Sequence, residues 1–558
     1  MQVEGVLRSL LAAAASLLLS LSYATSQTQN LTSTLIGQIT SAQEGAMEGV
    51  VVSARKDGST ITVSVVSNAQ GRYAFPASKL VSGHYSLTVR AAGYDLDGAA
   101  AADVRPGATT TADLNLHPTE NLPDQLTNSE WIESVPGSAE TKKLFLGCTD
   151  CHTLQRVIES NHTAAEFLQV FDRMAGYYPG AWPEQPQRLV GDARRPALPG
   201  GKEKEFAEYL ASINLSATST HPYPLQRFAR PTGRATRVII TEYDLPRKII
   251  QPHDVIVDAD GMVWFSHFGE QFLSKLDPKT GRVTDFSIPE QKPGFPTGTL
   301  DLEADEDGNL WIGLMYQSGI AKFDRKTEKL TIFPIPAEWQ TNTTQQAHIS
   351  PTASKVDGKV WVKNSAGSLI WRLDVATGHY ENIGSFNVPG ATKRITVYGI
   401  NADLQNNLYI LDFGYGSGGI GRIDAQTKQL TYFQSPTPDT RARRGKVDGQ
   451  NRLWFGEYGG NAIGMLDPKT ETISEWRLPT PWSAPYDAVL DRNGEVWTGS
   501  VMSDRVARLN PQTGQFVEYL LPRETNIRRV FVDNSTTPVT FWVGSNHGAS
   551  IVELEPLD

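Results

Sequence analysis

From about Leu31 to His117 apolar and polar residues alternate in short runs, TLIGQIT, GVVVSARK, TITVSVVS, GRYAFPA, GHYSLTVRA and TTTADLNLH, with Gly37, Gly49, Gly71, Gly83 and Gly93 between them. Period-two alternation broken by glycine-bearing turns predicts a small β-sandwich. Residues 118–140 lose this pattern, carry Pro118, Pro123 and Pro136, and read as a linker or extended strap. The period then changes. In HTAAEFLQVFDRMAGYY the positions Phe167, Val170, Phe171 and Met174 recur at helical spacing and make one apolar face. With TKKLFLGC before it and KEKEFAEYLASI after it, the pattern over residues 141–215 predicts three short helices forming a small α-helical domain.

A third pattern runs from about Val238 to the end. A turn followed by an aromatic strand recurs at Trp264, Trp311, Trp361, Tyr409, Trp454, Trp497 and Trp542, at spacings from 43 residues (Trp454 to Trp497) to 50 residues (Trp311 to Trp361). Many units continue as LDPKTGRVTDFSIP or LNPQTGQFVEYLLP. A repeat of this length with four strands per unit predicts a propeller blade, and seven landmarks predict seven blades over residues 238–558. The segment VIITEYDLP at 238–246 matches the outer strand of the other units, so it is expected to pair with the last blade and close the ring, which leaves no free edge. The fold class expected is mainly β: sandwich, small helical domain, propeller.

Ahead of these regions, LLAAAASLLLSLS follows Arg8 and gives way to polar residues near Ser26. The run is short for a bilayer span and reads as a signal peptide over residues 1–26, with a retained anchor as the alternative. The mature chain is then expected to be periplasmic or otherwise secreted, with no membrane span after cleavage. Lys plus Arg number 51 against 61 Asp plus Glu, a net charge of −10 with no long basic block, which argues against nucleic acid as a partner. The sequence has only 2 Cys, too few for a disulfide framework.

Those two cysteines carry the sharpest local motif. Cys148, Cys151 and His152 spell C-x-x-C-H, the spacing of covalently attached haem c, with thioethers at the two thiols and the imidazole on the iron. A redox dithiol and a zinc knuckle compete, but zinc would want further ligands and the dithiol a βαβ setting. Met174 is the expected second iron ligand, with His162 and an open position as alternatives. In the propeller, His253, Tyr398, Arg443, Arg444, Tyr486, Arg528 and Arg529 lie just before the landmarks, where innermost strands are expected, and His267, Glu457, Tyr458 and His547 follow the aromatic strands. Of these, His253, His267, Glu457 and Arg444 are the candidate catalytic residues, and the arginines suit a small anionic substrate or a haem propionate equally well.

On these motifs, three resemblances follow. Residues 31–117 resemble the carboxypeptidase regulatory-like family, which implies a transthyretin-like sandwich without catalysis. Residues 141–215 resemble class I cytochromes c, with KEKEFAEYLASI as the C-terminal helix, although Met174 lies only 22 residues beyond His152. That resemblance implies electron transfer with a redox protein partner. The phrases PHDVIVDADGMVWFSHFG and LWFGEYGGNAIGMLD resemble the streptogramin B lyase (virginiamycin B lyase) family. It implies metal-assisted elimination opening a cyclic depsipeptide, with His253, His267 and Glu457 as nearest matches and a divalent metal in the propeller. The expected function is a periplasmic haem protein in electron transfer, an oxidoreductase using the propeller funnel. The alternatives are a carbon–oxygen lyase and a binding or scaffold protein.

Overall fold

The computed structural model describes residues 33–149, 151–195, 201–216, 218, 220–342, 346–364 and 368–558. The segment read as a signal peptide lies outside the described residues. Among the described residues no helix is long and apolar enough to cross a membrane. The architecture is mainly β.

The N-terminal strands form two layers. One holds Gly45–Ala46, Ser33–Ser41, Leu114–Pro118 and Tyr94–Leu96, with Arg72–Pro76 and Thr110–Thr111 also paired to Ser33–Ser41. The other runs Ile61–Val66, Val51–Lys56, Gly83–Arg90 and Ala100–Val104. Alternation sends Leu35, Ile39, Val52, Val63, Phe75, Tyr85 and Leu87 into one core between the layers.

From Pro252 onward six four-stranded antiparallel sheets resembling propeller blades follow one another, and a seventh four-strand unit is built from Ile527–Asp533, Thr540–Ser545, Ser550–Pro556 and Val238–Asp244. The innermost strands touch in sequence order, and the last touches the first. The repeated turn has one physical cause. Asp258 accepts the backbone N–H of Asp260 and Met262 and the indole N–H of Trp264, and Asp305, Asp448 and Asp491 do the same for their own turns and for Trp311, Trp454 and Trp497. One carboxylate thus fixes the hairpin and orients the buried aromatic between sheets.

Val238–Asp244 pairs on one side with Ser550–Pro556, from Val238 opposite Pro556 to Asp244 opposite Ser550, as the sequence pattern predicts. On its other side it pairs with Ile61–Val66 of the sandwich, Ile239 opposite Val65 and Tyr243 opposite Ile61. The seventh blade and one sandwich layer are therefore a single eight-stranded sheet.

The helices do not form a separate module, which corrects the expectation of a small cytochrome domain over 141–215. The helix Asn128–Ser134 begins inside the expected linker, started by a capping box between Thr127 and Glu130. Ala164–Ala175 starts with the same box between Thr163 and Glu166, and Glu203–Ile213 packs beside it. Their buried faces, with Trp131, Phe145, Phe171 and Phe206, share one apolar core with Tyr458, Ala484, Tyr486, Val501 and Met502 of the blades. Helices this short gain their stability from such packing rather than from propensity.

Candidate functional site

The inner strand of five blades carries a bulge at the same point, between Pro252 and Val255, Thr299 and Leu302, Val397 and Ile400, Ala442 and Gly445, and Ile527 and Val530. A bulge breaks strict alternation, so two consecutive residues are released from the ladder. In these blades the pairs are His253 with Asp254, Leu300 with Asp301, Tyr398 with Gly399, Arg443 with Arg444, and Arg528 with Arg529. Tyr486 with Asp487 holds the matching position in the sixth blade. The contacts sort them into two levels.

The lower level is ionic and self-neutralising. Arg529 reaches Asp254 (3.2 Å), Asp487 (3.0 Å) and Glu303 (2.6 Å), Arg444 pairs with Asp301, and Lys446 pairs with Glu303 (2.6 Å). Burial opposes ionisation of Asp301, but Arg444 and His348 outweigh it and hold this carboxyl far below its usual range. Asp254 moves the other way, pushed by burial up to about 6 against the pull of Arg529 and Arg444.

The upper level is a hydrogen-bonded chain. Tyr398 Oη meets Tyr486 Oη at 2.6 Å, Tyr486 Oη meets His253 Nε2 at 3.2 Å, and His253 Nδ1 meets Asp254 Oδ1 at 2.7 Å. With Nδ1 donating to Asp254, Nε2 accepts from Tyr486. Burial, reinforced by Arg444 and Arg528, holds the His253 pKa well below its ordinary value, so the imidazole is neutral. Arg443 donates to Tyr398 Oη at 3.4 Å, and its guanidinium carbon lies 4.2 to 5.0 Å from the ring centres of Tyr486, Tyr458, Tyr398 and Phe413. Burial would raise Tyr398, but Arg443 and Arg444 prevail and lower it. Burial, then Tyr398, raises Tyr486. Tyr398 is half-buried, whereas His253 and Tyr486 are fully enclosed. Lys363, also buried, has its Nζ 5.5 Å from the Tyr398 ring centre, and burial and Arg444 bring its amine down to about 7.

Of the predicted catalytic set, His253 and Arg444 are axial, and His267 and Glu457 are not. Those two end the second strands of the first and fifth blades, opposite Pro252 and Ala442. His267 Nε2 contacts Ser274 Oγ at 2.6 Å and Ser274 donates to Asp285, a chain crossing the blade to its outer strand. Burial, reinforced by Glu475 on the outer strand, pushes Glu457 up to about 9. His267 ties blade strands together, whereas the Glu457 carboxyl oxygens are buried with no hydrogen-bond partner among the described residues. Asp254, Asp301, Asp487, His348 and Lys363 were missed by sequence reading. The signal was present in part, because the pair begins eleven residues before the aromatic landmark at His253, Leu300, Tyr398, Arg443 and Tyr486, although fourteen before it at Arg528.

Cys148, Cys151, His152 and Met174 do come together, lining a cavity of about 430 Å³ in the helical segment with Phe167, Phe171 and Trp182. His152 Nδ1 lies 2.9 Å from the Thr153 carbonyl oxygen, and His162 lines the same cavity.

Residues 293–555 match the model of the virginiamycin B lyase family, and residues 34–117 match the carboxypeptidase regulatory-like domain. Among solved structures the chain is similar to a streptogramin B lyase, at 23% identity over 58% of this chain and 100% of the other, with a TM-score of 0.49. It is similar to virginiamycin B lyase from Staphylococcus aureus at 20% identity over 57% of this chain and 99% of the other, with a TM-score of 0.48. No curated protein matches. The protein thus contains a carboxypeptidase regulatory-like domain and a virginiamycin B lyase-like domain.

The match to the virginiamycin B lyase family model corrects the cytochrome reading. The family similarity is to a lyase, so the oxidoreductase and electron-transfer assignment is withdrawn, and with it covalent haem c and iron ligation by His152 and Met174. Among the described residues no group of three or more His, Cys, Asp or Glu side chains is arranged to hold a metal ion. The divalent metal that the lyase resemblance implies finds no support at the axis either, because Asp254, Asp301, Asp487 and Glu303 are already engaged by Arg444, Arg529 and Lys446.

Proposed function

We propose that the seven units act as a closed seven-bladed propeller and that the chain is a carbon–oxygen lyase, working outside the cytoplasm on a small ester or lactone with anionic character. The observation that carries this reading is the chain from Tyr398 through Tyr486 and His253 to Asp254 beside Arg443. Tyr398, the half-exposed end of the chain, is the catalytic base once ionised, a form that Arg443 favours. It takes the proton from a carbon that lies next to the carbon bearing the ester oxygen and is acidified by a second carbonyl, the electron pair of that C–H bond forms a carbon–carbon double bond, and the bond from the neighbouring carbon to the ester oxygen breaks. The leaving carboxylate carries away the bonding pair and is met by Arg443. The proton stays on Tyr398 until the product leaves and is then lost to solvent, while Tyr486, itself held by neutral His253, keeps Tyr398 in place. No redox partner or added reactant is needed.

The test is a panel of esters, lactones and cyclic depsipeptides incubated with the full chain. Elimination within a ring yields a product isomeric with the substrate and bearing a new double bond, whereas hydrolysis adds one water. Tyr398→Phe and His253→Gln should each lower kcat, Tyr398→Phe by about 10²- to 10⁴-fold. A hydrolysis product, or turnover unchanged in both variants, would refute the reading.

A further inference from the structure

The helical segment lies across the face of the propeller onto which the axial chain opens. Trp131, Phe145, Tyr486 and Met502 belong to one apolar core, and Tyr398 and Phe413 pack against it. A second contact joins Tyr178 and Leu189 to Phe268, Leu300, Met315 and Tyr316. A Cβ on Gly180 would strike the Phe268 carbonyl oxygen, so the two surfaces meet without intervening space there.

The contact is made mostly by side chains, and it includes the ion pair of Lys143 with Asp439 (3.0 Å) and the bond from Trp482 Nε1 to Glu133 (2.8 Å). Ser129 Oγ donates to the Trp482 carbonyl (3.0 Å), Tyr458 Oη to the Leu146 carbonyl (2.7 Å), Asn526 Nδ2 to the Thr149 carbonyl (3.2 Å), Gln251 Nε2 to the Gly180 carbonyl (2.7 Å) and Gln187 Nε2 to the Gly269 carbonyl (2.8 Å). One backbone bond, Ser129 N–H to the Met502 carbonyl at 2.9 Å, accompanies them. No strand pairing links the helical segment to a blade among the described residues.

Both ends of the segment are held elsewhere. Gln125 is tied to the Gly93 N–H (2.7 Å) and to Asp95 (2.7 Å), and Thr119 N–H to the Gly93 carbonyl (3.0 Å). On the return, Arg227 donates to the Ala92 carbonyl (3.0 Å) and Arg230 to the Glu48 carbonyl (2.9 Å). All these partners belong to the sandwich, one layer of which is a single sheet with the seventh blade.

We infer that the described residues between 127 and 213 form a lid hinged at both ends on the sandwich, closed over the axial residues, and that they lift as one body before a molecule of substrate size reaches His253, Tyr486 and Lys363. The body rests on side-chain bonds and apolar contact, which can part without breaking a sheet, while the hinges stay fixed. The sandwich then has a defined role as the mount of the lid. The inference rests on packing and is independent of the elimination chemistry.

Lys363 reports on the chamber, since it is buried beneath Tyr398 and has an amine that is largely uncharged at pH 8. Competitive acylation of the full chain, read by peptide mass, should label Lys363 on the order of 100-fold more slowly than exposed Lys279 and Lys469. The double variant Ser129→Ala with Asn526→Ala removes two of the lid's bonds and should raise the Lys363 rate ~10-fold or more without altering Lys279. If that variant fails to fold, low urea applied to the unmodified chain decides. Opening of the lid predicts a Lys363 rate rising with a shallow urea dependence, well below the slope of global unfolding. Labelling as fast as Lys279, no response to loosening the lid, or a slope equal to that of global unfolding would each overturn the inference.

Discussion

The propeller meets its two neighbours in opposite ways. At the sandwich, Val238–Asp244 is paired on both sides, to Ser550–Pro556 and to Ile61–Val66, so the junction is a ladder of main-chain hydrogen bonds. At the helical segment the junction is an apolar core trimmed by side chains that reach carbonyl oxygens. A ladder is cooperative and edge-sealing, because each broken pair exposes unpaired backbone, whereas a packed face separates at the cost of its buried area. The same ring thus carries one permanent weld and one separable cover, and the cover lies over the axial chain.

The largest effect is expected from breaking the weld. Thr241 sits mid-strand, opposite both Glu553 and Val63, and Thr241→Pro removes an N–H and inserts a ring between two neighbours. We expect a loss on the order of 4 kcal/mol in denaturant unfolding, with sandwich and blade affected together. If only the sandwich unfolds, the shared sheet is not a cooperative unit. Next, Trp131→Ala empties a fully buried site in the lid core and should cost about 3–5 kcal/mol there. A separable cover predicts a new early transition with the blades intact; a single sharpened loss of everything contradicts it.

A pH test addresses the ring itself. Glu457 is buried and its folded pKa is raised to about 9, above the unfolded value, so between about pH 5 and pH 9 the folded state binds a proton that the unfolded state has released. Stability from this group is therefore present at low pH and lost as pH rises, by ~1 kcal/mol per unit between pH 6 and pH 8. Glu457→Gln should flatten this part of the curve and leave lid opening unchanged. An unaltered pH dependence would show that Glu475 and burial do not act as described. The smallest effect expected is Tyr458→Phe, which removes the bond to the Leu146 carbonyl and should cost about 0.5–1.5 kcal/mol, seen as faster amide exchange in the lid alone.

The contrast also explains what the sequence made legible. Local period identified the sandwich strands and every aromatic landmark, because alternation and the Asp turn act within a dozen residues. The partner of VIITEYDLP in the last blade was legible from the repeat. Its second partner, Ile61–Val66, was not, since nothing local in either segment marks a pairing across such a distance along the chain. The cytochrome reading failed at the same level. The C-x-x-C-H run and one helical face were read as a self-contained domain, while the blade residues completing that core, Tyr486 and Met502, lie hundreds of positions away. In the site, the place of His253 and Arg444 on the inner strands was legible from strand position, and that of His267 and Glu457 at the ends of the second strands from the run after each landmark. The position of the axial pairs was visible only as an offset from the landmark, eleven residues in five blades and fourteen at Arg528.

Native-state hydrogen exchange of the full chain tests the contrast most directly. The account predicts that the amides of Ile239 to Tyr243 exchange only with global unfolding, together with the blade strands. The amide of Ser129 and those of the helix Ala164–Ala175 should exchange together through a smaller opening of lower free energy. Exchange of the lid amides only with the blades would contradict it, and would make the helical segment a permanent part of the propeller.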